Sequence, residues 1–485
     1  MERNDTPEQL SSFLERMRAS EPEGGEAIID QARELLEQAY VHLPDNQASG
    51  VDPLGLLAAL QRELPRDRVQ LYRELLAIFA RLGDRHTHCS LPEPFTSQVA
   101  FLPFLVGEFF ERGERYLAVL HSATRELERG DVLVSWNGAA MAEVLGRQQE
   151  WQHGSHLEAR YAKAVQTLTF RPLALMPPPE EETVALECVS AMGARRTVRM
   201  NWRVADAAWL AQRFHSFLDG VSAAEPGQEH GFSARRVETS HGTFGYIRVN
   251  SFQERPEPFL GRFSRVLKDM PRSGLILDMR SCEDGIVQLG ERLLQLFTPR
   301  RIQPEPFQFR VTELTLQLVR SVPALAGWRE AVERAAAQGR IYSEALPLTT
   351  ESEANGSRQK YAGAVVLLTS ALTYSTAEMF AAGFQDHEIG RVVGTAPRTG
   401  GGGASPWPQS TLFKLSGRAA FRPLPRGPFF RVAVRRCRRV HARAGALLER
   451  EGVAPDVLHP PTRADLFHHD RDLLEVAGRV LTGMQ

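Results

Sequence analysis

Lysine is scarce in this sequence: among 58 cationic residues only four are lysines, Lys163, Lys268, Lys360 and Lys414. Arginine stays protonated and cannot serve as a general base, whereas a desolvated lysine can, so lysine-based chemistry has few places to reside. A surplus of charge is missing too. Lys+Arg 58 against Asp+Glu 59 leaves a net charge of −1, which provides no global field to draw in nucleic acid or an anionic membrane, and neither is expected as a partner. No apolar run reaches about 18 residues, so no membrane-spanning helix is expected. Cys89, Cys188, Cys282 and Cys437 share no CxxC spacing and read as scattered thiols of a reducing compartment. The opening "MERNDTPEQLSSFLERMRAS" has acids and polar residues where an export signal needs a cationic stretch and then an apolar run. A cytoplasmic location follows as the expectation.

What is present suffices for a large folded protein. A chain of 485 residues with 42% hydrophobic residues can bury ample core and, at about 150 residues each, divides into two to four domains. "EAIIDQARELLEQAYVHL" and "VQLYRELLAIFARLGD" repeat apolar residues at three- and four-residue spacing, which predicts about three helices in the first ninety residues, with "LPDNQASGVDP" as a loop between them. From residue 97 the period shortens. "VAFLPFLVGEFF", "RYLAVLHS" and "DVLVSWNG" read as short strands, and "ETVALECVS" with "RRTVRMNWRV" as a hairpin before a helix near residues 205 to 219. Residues 220 to 231 hold little that could pack and read as a linker. After it strands and helices alternate: "GTFGYIRV", "PEPFLGRFSRVLKDM", "GLILDM", "VQLGERLLQLF", "GAVVLLTS", "TAEMFAAGF", "RVVGT". Such alternation argues a parallel or mixed sheet covered by helices.

Ser375 sits just past one of these strands, in "LLTSALTYSTAEMFAAGF". Read locally, "STAE" is a capping box in which Glu378 reaches back to the amide of Ser375. Read against the alternating pattern, a serine where a strand turns into a helix is placed where open α/β sheets bind ligands and where serine hydrolases place a nucleophile.

Seven short motifs stand in the order of the C-terminal-processing (tail-specific) serine protease family, which the chain resembles over about residues 80 to 460. "LGDRHTH" is similar to the family's D-x-H-T segment, "GDVLVSWNG" to the end of its PDZ-like domain, and "FGYIRVNSF" to the strand opening its core. "LILDMRSCEDG" resembles LDLRxNxGG, "TYSTAEMFA" resembles S-A-A-E-x-F-A, "VVGTAPRTGGGGA" resembles GxxTxGKG, and "GALLEREGVAPDV" resembles GxxIExxGVxPD. The dyad lysine of GKG is replaced within Gly400 to Gly403. The closer likeness is therefore to the tricorn-core and interphotoreceptor-retinoid-binding-protein-like branch. That resemblance implies an α/β fold with a ClpP/crotonase-like catalytic core of repeated βα units (221 to 485), a helical N-terminal domain (1 to 95) and a small PDZ-like peptide-binding domain (96 to 220).

The resemblance implies a serine endopeptidase cleaving peptides or unfolded segments through an acyl-enzyme on Ser375, with His86 as base and Glu449 as its acid, Glu451 being a near neighbour. Neutral imidazole titrates in the right range to take the hydroxyl proton, and a carboxylate on its other nitrogen fixes the tautomer. The amides of Thr376 and Gly285 are the expected oxyanion donors. Glu283 and Asp284 beside that site would oppose the charge formed there, which favours a protease-derived protein that binds peptide or a hydrophobic ligand without turnover. An acyl-CoA enzyme of the crotonase type is a third reading. His88 is a rival base, "HTHC" a weak zinc pattern, and Lys414, on an expected strand "STLFKLSG", a fallback base. "GGGG" reads as a mobile loop near the substrate, Tyr374 and Phe380 as core, and "RVAVRRCRRVHAR" as a solvated strand face or a patch for acidic peptide. No metal and no cofactor are expected, and a homo-oligomer is allowed.

Overall fold

The computed structural model describes residues 7–18, 24–213 and 231–484. The expected linker, 220 to 231, falls outside these residues up to 230, as does the end of the helix expected near 205 to 219, which is described as Ala207–Arg213.

The centre of the molecule is a six-stranded sheet whose spatial order follows the chain: Phe232–Thr239, Gly242–Val249, Leu275–Asp278, Val365–Thr369, Arg391–Gly394 and Val457–Leu458. The first two strands pair antiparallel and the rest parallel. Parallel strands covered on both faces read as continuous apolar runs, and Val365–Thr369 is buried at every position. Helices Pro256–Asp269, Val287–Leu294 and Thr376–Asp386 follow successive strands. Gly290 lets the last two approach: a Cβ there would stand 2.9 Å from Thr376 Cγ2.

A second sheet is built around Phe429–Cys437, which pairs with Pro306–Phe309, with Ala404–Pro408 and with His88–Ser90. Its arginines correct both readings of the basic run. Arg435, Arg436 and Arg439 are buried; Arg435 lies over Phe309, Trp328 and Trp407, and Arg439 pairs with the fully buried Asp386 at 2.7 Å. Stacking on aromatic faces and ion pairing let guanidinium groups stand where alternation alone suggests solvent.

Among its described residues the N-terminal region has five helices, Leu10–Arg18, Gly25–Gln38, Leu43–Ala48, Pro53–Arg62 and Arg68–Arg81, rather than three. The expected loop contains one whole helix because Pro44 and Pro53 occupy first-turn positions, where a missing N–H costs nothing. These helices share one buried apolar cluster with the rest of the chain. Val41 N donates to Ala433 O (2.9 Å), and Gln409 Nε2 to Gln31 Oε1 (2.8 Å).

Between these parts, Phe104–Glu111, Glu114–Ser122, Val132–Trp136, Thr183–Val189 and Arg195–Asn201 form an antiparallel sheet with helices Met141–Gln149 and Leu157–Gln166. The run "VAFLPFLVGEFF" splits at Pro103: Gln98–Phe101 joins Arg203–Asp206 and Phe170–Pro172 in a separate small sheet. No helix among the described residues is long and apolar enough to cross a membrane.

Candidate active site

The strand Val365–Thr369 leads through residues 370 to 375 into helix Thr376–Asp386. The turn is laced to the loop after Leu275–Asp278: the Ser370 hydroxyl donates to Arg280 O, Thr373 Oγ1 to Met279 O (2.9 Å) and Tyr374 N to Cys282 O (3.1 Å). Ser375 is thereby held at φ 57°, ψ −126°, a conformation that costs a residue with a Cβ about 1–3 kcal/mol. Its side chain makes no capping bond. Glu378 faces away from it, accepting from the Thr399 hydroxyl and from the amides of Gly401 (2.7 Å) and Gly402 (2.5 Å). The capping-box reading fails.

His86 arrives from the other side. Helix Arg68–Arg81 ends, Gly83 turns the chain at φ 68°, and Asp84 Oδ1 accepts from the amide of His86 (2.7 Å). Thr87 Oγ1 accepts from Ala433 N (2.9 Å), and His88–Ser90 then pairs with Phe429–Cys437. This places His86 Nε2 2.9 Å from Ser375 Oγ, with both residues buried. A proton moving from Oγ to Nε2 requires hydrogen on Nδ1. Facing Nδ1 are the Tyr374 hydroxyl at 3.2 Å and Glu449 Oε1 at 3.7 Å. Tyr374, read from the sequence as core, is thus the direct hydrogen-bond partner, while Glu449 stands at ion-pair range. Glu451 is exposed, so of those two glutamates it is Glu449 that faces the histidine, with Asp84 Oδ1 a second carboxylate oxygen 3.9 Å from Nδ1.

The surroundings of Glu449 hold residues that no motif signalled. His42 Nε2 lies 3.5 Å from Glu449 Oε2, and Asp84 is buried beside them. Burial opposes the charge on Glu449, but His42 and His86 outweigh it and hold the carboxyl down at about 2. Burial and the negative Glu449 push the Asp84 carboxyl up. His42, Asp84 and Glu449 each offer one potential ligand atom within 4.8 Å of the others. The opposite charges of His42 and Glu449 account for that grouping without an ion. His88 is turned to Arg85 O (3.2 Å), and neither it nor Cys89 belongs to such a group among the described residues.

The expected oxyanion donors stand side by side. Thr376 Oγ1 donates to Gly285 O at 2.9 Å, and Gly285 sits at φ 145° so close to Phe252 that a Cβ would fall 2.2 Å from its Cβ. The acids of this loop are occupied, contrary to the expectation that they oppose developing charge. Glu283 is clamped between Arg85 Nη2 and Lys163 Nζ, each at 2.6 Å, and Asp284 Oδ2 accepts from Gln253 Nε2 (2.5 Å). Burial disfavours the Glu283 anion, yet these two cations hold its carboxyl below the usual range.

Gly400 to Gly403 are buried rather than an open loop. A Cβ on Gly402 would stand 1.9 Å from Tyr374 Cζ, and one on Gly403 2.7 Å from Leu448 Cβ. The glycines let the backbone pass between Tyr374 and the turn bearing Glu449 while enclosing Glu378. Lys414 is exposed on helix Gln409–Ser416, not on a strand, and is no part of the site. A cavity of about 560 Å³ opens beside the turn that leads to Ser375, lined among others by Leu105, Leu120, Arg248, Ser281 and Leu372.

Residues 243–459 match the family model of Peptidase family S41. Among solved structures the chain is similar to mature CPAF (TM-score 0.70, 17% identity, 94% of this chain and 98% of that chain covered). It is likewise similar to mature CPAF complexed with lactacystin (TM-score 0.71, 19% identity, 95% and 99% covered). At such identities the likeness establishes a shared fold across nearly the whole length. The photosystem II D1 C-terminal processing protease aligns at TM-score 0.44 and 17% identity over 95% of this chain and 98% of that one. No curated protein matches the sequence. The S41 match spans the strands that carry the serine turn, and with it the chain is a serine-type peptidase similar to the C-terminal-processing proteases.

Proposed function

We propose that the protein is a serine endopeptidase that cleaves peptides or unfolded segments through an acyl-enzyme on Ser375, with His86 as general base and Glu449 as the charge that supports it. The observation that carries this reading is the 2.9 Å contact between His86 Nε2 and Ser375 Oγ, with the serine on a strained turn at the head of a helix. As Oγ bonds to the peptide carbonyl carbon, its proton passes to Nε2. The carbonyl oxygen becomes an anion facing the amides of Thr376 and Gly285, and preorganised donors of this kind are typically worth about 10²–10³ in rate each. Collapse breaks the C–N bond, and His86 returns the proton to the leaving amine. Water then repeats the sequence on the acyl-enzyme and frees Ser375.

The two cations on Glu283 weaken the main argument for a binding protein without turnover, while Asp284 is held by the neutral Gln253 amide. In this reading residues 96 to 220 form the PDZ-like peptide-binding domain, 1 to 95 the helical domain and 221 to 485 the core, in a cytoplasmic protein that can self-associate. The cavity between Leu105 and Leu372 is the route by which an extended peptide reaches Ser375.

A fluorophosphonate probe on the native protein, with peptide mapping, tests this. Label on Ser375 that is absent from Ser375→Ala and lost in His86→Ala is the expected result. A folded protein that takes no label would overturn the proposal.

A further inference from the structure

The mechanism above uses Glu449 but leaves unexplained how a buried carboxylate stays ionised there. Neither Glu449 oxygen has a hydrogen-bond partner among the described residues. An ionised carboxylate so placed is costly unless a counter-charge stands close. Of the two rings that lower the Glu449 carboxyl, His86 contributes less than His42, and a general base accepts its proton in the neutral form. Asp84, 3% exposed beside it, makes matters worse.

The counter-charge comes from the N-terminal helices. His42 precedes helix Leu43–Ala48, with its Nε2 3.5 Å from Glu449 Oε2 and its Nδ1 3.7 Å from Asp45 Oδ2. Asp45 Oδ2 in turn lies 3.2 Å from Arg436 Nη1 and accepts from the Tyr342 hydroxyl at 3.2 Å. Both ring nitrogens of His42 therefore face a carboxylate oxygen at ion-pair distance, an arrangement that favours the doubly protonated ring, since a neutral imidazole turns an acceptor toward one of them.

We propose that His42 is a positioning residue for the reaction at Ser375, a fixed cation in a chain of alternating charge (Arg436, the partly exposed Asp45, His42, Glu449) that keeps Glu449 ionised and aimed at His86 Nδ1. The inference rests on the Ser375–His86 reading and adds a residue that none of the family motifs contains. The groups facing His42 are Asp45 on its own helix, Glu449 and Asp84 on other segments, and the Tyr40 ring at 5.8 Å. Those facing Glu449 are His42, His86, Asp84, Tyr40, Tyr374 and Glu378. Burial works against charge on His42, yet the surrounding carboxylates outweigh it and raise the ring to about 9. Without that cation, Glu449 would share a buried space with Asp84 and two phenols and would take up a proton or turn away. Either change leaves the His86 imidazolium unsupported as it forms.

Two measurements decide it. Ring-nitrogen NMR shifts of histidine-labelled Ser375→Ala protein, with His42 assigned through His42→Gln, report the charge directly and need no turnover. A doubly protonated His42 at about pH 7.5, where an ordinary histidine is neutral, is expected; a neutral ring would overturn the proposal even if Ser375 proves active. In the active protein, His42→Gln should lower kcat by about 10–10²-fold, less than the 10²–10⁴ typical of losing a general base. KM should be unchanged and the acid limb of the kcat profile should move to higher pH. His42→Lys, which restores a cation, should recover part of kcat in a protein of wild-type thermal stability. A His42→Gln variant with wild-type kcat and pH profile would refute the role. A wild-type protein that takes no probe on Ser375 would instead refute the peptidase reading, while the NMR result still decides the charge on His42.

Discussion

Replacing Ser375 by glycine should make the fold more stable than replacing it by alanine, although both remove the hydroxyl. Both variants lose the contact with His86 Nε2, so that contribution cancels in the comparison. What differs is the Cβ at φ 57°, ψ −126°. Alanine keeps the strain of about 1–3 kcal/mol that such a conformation carries, and glycine releases it. Glycine also gives the unfolded chain more freedom, which costs the folded state about 0.5–1 kcal/mol relative to alanine. The mid-range difference leaves glycine ahead by about 1.3 kcal/mol, within a span of about 0–2.5. Urea unfolding of the two variants, compared at equal m-value, measures it. A glycine variant less stable than the alanine one would show that the turn stores no such strain, and would remove one of the two supports of the nucleophile assignment.

Three further outcomes are expected. Burial holds the Glu378 carboxyl up at about 7 from its ordinary 4.5, despite donors from Thr399, Gly402 and Gly401. The folded state thus binds this proton more tightly than the unfolded one. The stability it contributes is full below about pH 4.5 and lost as pH rises to about 7, an interval of about 2.5 pH units worth about 3 kcal/mol. Glu378→Gln should flatten that part of the stability curve, and an unchanged slope would contradict the burial argument. Gly402→Ala drives a Cβ to 1.9 Å from Tyr374 Cζ; overpacking of about 1–3 kcal/mol should follow, along with slower probe labelling of Ser375, and a wild-type labelling rate would show that Tyr374 does not hold His86. Lys163→Met leaves Glu283 with Arg85 alone. Labelling should slow about fivefold, equivalent to the about 1 kcal/mol of a partly exposed pair, and recover when Glu283→Gln is added; failure to recover would assign the effect to packing.

The alternation of the core was legible because each parallel strand is a short apolar run followed by a helix of clear period, as in "GLILDM" and "VQLGERLLQLF". Ser375, His86 and Glu449 were legible only through the order of motifs, since each alone is an ordinary polar residue. What escaped reading depends on partners far along the chain. His42 faces Glu449, Tyr374 meets a ring 288 residues earlier, and Glu378 serves the amides of Gly401 and Gly402 rather than its own helix. The glycine run and the arginine run misled for one reason: local composition suggests exposure, whereas aromatic faces and buried carboxylates supply these segments with tertiary partners.

The seat of His86 has a consequence in time. His86 and Ser375 are 289 residues apart, and the strand Phe429–Cys437 that receives Thr87 and His88–Ser90 comes later still. A growing chain has therefore made both His86 and Ser375 before it has the strand that brings them together, and before it has Glu449. Until that strand is made, the Ser375 hydroxyl and the His86 imidazole have nothing to hold them in contact.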